Sequence, residues 1–305
     1  MAIVCATNLS SESMEAANVA AALAARLGEP LVLLGILEGE PSDAPATFQA
    51  RLEAEAARLE GSAGVVKPHL STRRSADEAL VEEECRSTRW AVVASGGWRT
   101  PAWRRASMPE RMARHGCAPV LTVRRDAALV DWARGRRRLL VMVGVDPSDE
   151  ADGSVAFVRA LREVGPCDII ATYVCSPAEE RTRLGIHTPM HVELLDPVVR
   201  GIQTLDPYVE RVLLREVRER LGEVPGEGQV EIHLEPGYGR RDDHLLHVAR
   251  ERGADLVVVG THQRVGLQRW WHGSVSAGVM RNAEQSVVCV PATYVRPRRA
   301  SPPRS

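Results

Sequence analysis

Lysine is almost missing from this chain of 305 residues: Lys67 is the only one, and arginine supplies the rest of the positive charge. Its absence elsewhere rules out a P-loop phosphate site, which needs a lysine at the end of a glycine-rich turn. Lys67 itself stands in "VVKPHL", without the glycines. Aromatic residues are scarce too, at 4%. The basic clusters "RGRRR" at 134–138 and "RPRR" at 296–299 therefore have no aromatic platform beside them, and no nucleic-acid recognition motif accompanies them. They read as a solvated linker and tail. Formal net charge is -1, so no whole-molecule field draws the chain to nucleic acid or to an anionic membrane. No apolar run is long enough to cross a bilayer, and "MAIVCATNLS" lacks the basic region and apolar stretch of a secretory leader. Cys5, Cys85, Cys117, Cys167, Cys175 and Cys289 form no CxxC pair, which fits a reducing compartment without a disulfide framework. The expectation is a soluble cytoplasmic protein. Nucleophile elbows and paired catalytic carboxylates are absent as well, so no catalytic mechanism can be named and the chain reads as a binder, not an enzyme.

What is present is a repeat. "MAIVCATNLS" and "LLVMVGVDPS" are each a short apolar, β-branched run that ends in a polar turn. Helical segments follow both, "SSESMEAANVAAALAARLG" and "PSDEADGSVAFVRALREVG", each with capping residues before an apolar stripe and a glycine after it. Asn8 matches Asp146 and Ile36 matches Val174, both at an offset of 138, whereas Ser107 matches Ser274 at 167. The net insertion belongs to the second copy, near 176–207. Each half reads β-α-β-α-β-α-β-α-β. Continuous apolar strands alternating with helices predict an α/β class: two tandem, doubly wound, open parallel five-stranded sheets with helices on both faces. The expected division is 1–125, a linker at 126–137, a second domain at 138–293, and a Pro- and Arg-rich disordered tail at 294–305.

Within the second half, the run "DLVVVGTHQRVGLQRWWHGSVS" carries the binding chemistry. Gly260 ends a strand and Gly273 and Ser274 open a helix. In an open α/β sheet, ligands settle beyond the carboxyl ends of the strands. A helix start offers free N–H groups and the positive end of the dipole, which suits phosphate. A glycine permits close backbone approach, and the Ser274 hydroxyl could cap the helix or donate to a phosphate oxygen. Arg264 and Arg269 add positive charge. Trp270 and Trp271 fit packing against the sheet end better than base contact, and His262 fits either a ligand contact or a solvated loop.

This half resembles the universal stress protein family, whose signature after the fourth strand is Gly, two residues, Gly, nine residues, Gly, then Ser or Thr. Gly260, Gly273 and Ser274 match. The resemblance implies that Asp146, in "VGVDPS", and Val174, through its backbone, meet the adenine end of a nucleotide. It implies ATP or a related adenine nucleotide, alone or with Mg²⁺, bound in the second domain only. It also implies a regulatory or protective role in stress, and halves that pair within the chain like the subunits of a dimer. A homodimer of the tandem chain remains open. Gln263 replaces the signature's second glycine. It either intrudes on the ligand or contacts it, and a positive φ there would cost a non-glycine residue roughly 1 kcal/mol or more. His272 departs too, standing where the family often has an apolar residue.

The first half keeps less: Asn8 replaces the acidic residue, Ala106 stands opposite Gly273, and only Ser107 survives at the helix start. It reads as an architectural partner, with Arg99, Arg104 and Arg105 in a solvated loop or holding some other anion. His244 and His247 beside Asp242 and Asp243, and His187 and His191 in the insertion, have partial metal-ligand spacing without a third ligand. Three other readings stay open: a nucleotide-free scaffold for protein interaction, a slow ATP hydrolase, and a binder of another ligand through the insertion.

Overall fold

The computed structural model describes residues 1–37, 45–71, 88–96, 107–115, 117–147, 151–186, 205–261 and 275–295. The first half contains β1 (Ala2–Thr7), α1 (Ser11–Leu27), β2 (Leu31–Ile36), α2 (Pro45–Ala63), β3 (Val66–Ser71), β4 (Thr88–Ala94), α3 (Met108–His115) and β5 (Val120–Val123). A short helix, α4 (Ala127–Ala133), leads to the second half. That half contains β6 (Leu139–Gly144), α5 (Asp152–Val164), β7 (Cys167–Cys175), α6 (Pro177–Arg183), α7 (Pro207–Leu221), β8 (Val230–Pro236), α8 (Arg241–Glu251), β9 (Leu256–Thr261), α9 (Val275–Asn282) and β10 (Ser286–Pro291).

Local chemistry sets these boundaries. The Ser10 hydroxyl accepts from the Ser13 amide at the start of α1, and Gly28 closes the helix with φ +66 and its N–H on the Ala24 and Ala25 carbonyls. Asp206 caps α7 from Tyr208 N, with Pro207 at the first helical position. The central strands β1, β4, β6 and β9 are almost wholly buried, as an apolar strand covered on both faces must be.

The strand order is β3-β2-β1-β4-β5-β10-β9-β6-β7-β8. Each half is the expected parallel five-stranded sheet, and the halves join edge to edge. β5 and β10 run antiparallel, with Leu121 opposite Val288 and Val120 opposite Cys289. Two apolar edges that would each present unpaired backbone groups thereby satisfy one another. One face of the sheet is covered by α1, α2, α4, α5 and α7, and one apolar core runs through both halves there. Trp90 of β4 meets Phe157 of α5 at a centroid distance of 5.1 Å, and Phe157 meets Tyr294 at 6.0 Å. The opposite face carries α3, α8 and α9.

Polar bonds also cross between the halves. Buried Arg89 reaches Glu29 at 3.4 Å and, in the second half, Glu163 at 3.1 Å. Arg26 Nε donates to the Val164 carbonyl at 2.6 Å.

Residues 126–137, read as a polar linker, contain α4. Its Leu129, Trp132 and Ala133 recur at helical spacing and are buried in the shared core. The arginines that follow are paired: Arg136 with Asp131, Arg137 with Asp255, and Arg138 with Glu227 and Asp168. Tyr294, assigned to the tail, is buried against Phe157. Residues 296–305 lie outside the described residues. Cys5, Cys117, Cys167, Cys175 and Cys289 are free thiols. Among the described residues no helix is long and apolar enough to cross a membrane.

Candidate functional site

In the second half, β6 lies between β7 and β9, the point where the winding direction reverses. Crossovers leave in opposite directions there, so the carboxyl ends of the strands open a crevice. A pocket occupies it. Its lining includes Gly144, Val145 and Asp146 at the end of β6, Thr172, Tyr173 and Val174 of β7, and Val259 and Gly260 of β9. Ala151 and Ser154 of α5, Arg241 and Leu245 of α8, and Val275 at the start of α9 complete it. Its cavity volume is about 130 Å³, and it opens directly to solvent.

Three residues singled out in the sequence, Asp146, Val174 and Gly260, come together in this pocket from three adjacent strands. Gln263, Gly273 and Ser274 lie outside the described residues, as do His262, Arg264, Arg269, Trp270, Trp271 and His272. The helix they were expected to open begins at Val275, which borders the pocket. His187 and His191 lie outside the described residues too. His244 is held by the Tyr238 carbonyl at 3.1 Å and lies 3.6 Å from Glu235, while His247 faces Glu251. Among the described residues no group of three metal-ligating side chains forms.

Packing of α8 against α9 shapes one wall. Asp242 is buried and paired with Arg240 at 2.5 Å, and it lies so close to Gly278 that a Cβ there would come within 1.7 Å of its Oδ2. The glycine lets the two helices approach. On the rim, burial and then a hydrogen bond to Glu180 push the Tyr173 hydroxyl's pKa well up, so it stays protonated and donates to Glu180 at 2.5 Å. Burial, aided by Glu180, likewise pushes the Cys175 thiol up to about 12. Arg241, at the start of α8, meets Glu179 at 2.9 Å.

Sequence reading missed several lining residues, namely Thr172, Tyr173, Ser154, Arg241 and Leu245. Ser154 and Thr172 are both buried with no hydrogen-bond partner for their hydroxyls. At an offset of 138 they stand opposite Ala16 and Leu34, so the repeat itself flags them as polar where the first half is apolar.

The first half closes the equivalent positions with its own side chains. The Asn8 carbonyl oxygen accepts from Ser10 N at 3.1 Å. At the start of α3, Ser107 N donates to Glu110 Oε2 while Glu110 N donates to Ser107 Oγ, a reciprocal capping box. The Glu110 carboxylate is buried, and its other oxygen accepts from Arg281 of α9 at 2.7 Å. A carboxylate therefore caps that helix tip through the Ser107 N–H. The residue matching Glu110 at an offset of 167 is Ala277, which has no such group.

The sequence profile of the universal stress protein family matches residues 1–124 and again 140–291. The chain belongs to the universal stress protein family. It carries two family modules in tandem. A universal stress protein of Methanocaldococcus jannaschii is 33% identical over 76 residues, which is 25% of this chain and 45% of that relative. The matched stretch thus spans less than half of the relative's length. Among solved structures, a universal stress protein from Archaeoglobus fulgidus aligns over 95% of this chain and 98% of its own, at a TM-score of 0.59 and 15% identity. A Pseudomonas aeruginosa protein aligns over 95% and 92% at a TM-score of 0.56 and 15% identity. At that identity the likeness concerns the fold, and it extends to the tandem arrangement of this universal stress protein.

Proposed function

We propose that this universal stress protein binds ATP or a related adenine nucleotide in its second half alone, and that the bound nucleotide regulates a protective or signalling role in stress. The observation that carries the reading is the asymmetry of the two helix tips. The first half places the buried Glu110 carboxylate at the start of α3, whereas the corresponding residue of α9 is Ala277. Phosphate and carboxylate compete for the same N–H groups and the same end of the helix dipole. The matching position of α9 carries no carboxylate, and beside it a pocket brings Asp146, Val174 and Gly260 together.

The pocket suits a nucleotide chemically. Val174, Leu245, Val259 and Val275 supply an apolar slot for a base. Ser154 and Thr172 bring two hydroxyls that have no hydrogen-bond partner among the described residues. In this reading Asp146 and Val174 hold the adenine end, and Gly260, Gln263, Gly273 and Ser274 hold the ribose and phosphates. Occupancy can shift a conformational or assembly equilibrium only if one state binds the nucleotide better.

A calorimetric titration with ATP, with and without Mg²⁺, tests this. One nucleotide per chain is expected. ATP at about a hundredfold over Kd adds about 2.7 kcal/mol, a rise in melting temperature of roughly 5–10 °C. A melting temperature unmoved by saturating ATP refutes the proposal. Gln263→Gly then reports on the glutamine: tighter binding marks an obstruction, and lost binding marks a ligand contact.

A further inference from the structure

Thr172 stands at a place where a buried polar group has no structural use. It lies in β7 beside Gly144 of β6 and His233 of β8. Strand alternation puts its side chain on the face of Ile170 and Val174, which pack with α8 and α9. The residue is 1% exposed and its hydroxyl has no hydrogen-bond partner among the described residues. A desolvated hydroxyl without a partner costs stability, and an apolar group of the same shape would not. The first half makes the apolar choice: Leu34 occupies the matching position and is wholly buried. Thr172 also borders the pocket, opposite the side-chain-free Gly144. Arg241 borders the same pocket, and its guanidinium meets Glu179 at 2.9 Å. A planar cation beside a pocket is suited to lie against an aromatic ring.

We infer that Thr172 and Arg241 read the nucleobase, Thr172 by a hydrogen bond to the edge of the ring and Arg241 by covering its face. The inference rests on nucleotide binding in this pocket and assigns its base end to two residues that line it from sheet and helix. A hydroxyl can donate or accept, so it serves a ring nitrogen or an exocyclic amine equally. The ligand class is a nucleotide recognised through its base, as opposed to a polyphosphate held by charge alone.

The experiment titrates ATP and tripolyphosphate, which has phosphates but no base, into the intact chain, Thr172→Val and Arg241→Ala. Thr172→Val should weaken ATP about 3- to 10-fold and leave tripolyphosphate unchanged. The same variant without ligand should melt at the same temperature or about 2 °C higher, since an unsatisfied hydroxyl has gone. Affinity and stability thus move in opposite directions, which a merely structural threonine would not produce. Arg241→Ala should weaken ATP about 3- to 30-fold, again without effect on tripolyphosphate. ATP affinity unchanged in Thr172→Val overturns the role of Thr172, as does a lowered melting temperature. Equal losses of ATP and tripolyphosphate in Arg241→Ala overturn the role of Arg241. An intact chain that binds no ATP refutes the proposed function and this inference with it, an outcome distinct from binding that ignores these substitutions.

Discussion

Moving one carboxylate tests the asymmetry between the helix tips. Ala277→Glu gives α9 the residue that α3 has at the same place, three after its serine, and so completes a capping box with Ser274 in the second half. In the first half this arrangement folds the Glu110 side chain back onto the Ser107 amide and leaves the residue 1% exposed. A transplanted carboxylate would occupy the seat assigned to phosphate. Even if it swung partly aside, a carboxylate and a phosphate charge about 5 Å apart at an effective dielectric of about 20 repel by roughly 3 kcal/mol. That corresponds to an affinity loss of about 100-fold or more. Ala277→Gln has the same size without the charge and should lose about 10-fold at most. The assay is calorimetric titration of ATP into both variants at low and high salt, with thermal melting as a check on folding. An acidic residue in the first turn of a helix is favourable, so neither variant should melt far below the parent. Parent-like ATP affinity in Ala277→Glu would show that the tip of α9 is not the anion seat. Equal losses in the two variants would show that bulk, not charge, decides the outcome.

Two further outcomes are expected. Arg89 is 5% exposed between the half-buried Glu29 and Glu163; Arg89→Ala removes the cation between them, costs up to about 3 kcal/mol, and should lower the melting temperature by up to roughly 12 °C, whereas a drop under 2 °C in calorimetry would refute the strut. Burial pushes the thiols of Cys5 and Cys167 up to about 12, Cys175 to about 12 with help from Glu180, and Cys289 higher still; thiolate appears only as pH rises towards the pKa, so at pH 8 these four should resist iodoacetamide while exposed Cys117 reacts, as peptide mapping would show.

Much of the fold was legible because its signals are local. The apolar runs of β1, β2, β4, β6, β7, β9 and β10, and Ser10 and Gly28 at the ends of α1, can be read within a few residues of themselves. The constant offset of 138 between Asn8 and Asp146 and between Ile36 and Val174 exposes the duplication. Two local signals were overlooked. Leu129, Trp132 and Ala133 spell the buried face of α4, and Ser107 with Glu110 spells a capping box. Asp146, Val174 and Gly260, which family resemblance picks out by register, do line the pocket. Arg241 carries no such mark, since only packing of α8 over the strand ends brings it to the pocket.

Strand and helix identity, the tandem duplication and the loss of an acidic residue at Asn8 follow from the order of side chains along the chain, because periodicity and capping act over a few residues. Fusion of ten strands through β5 and β10, the ion pair of Glu110 with Arg281, and the partnerless hydroxyl of Thr172 were decided only in three dimensions. Each depends on which groups, more than a hundred residues apart or on separate elements, lose water together when the two halves close over one core.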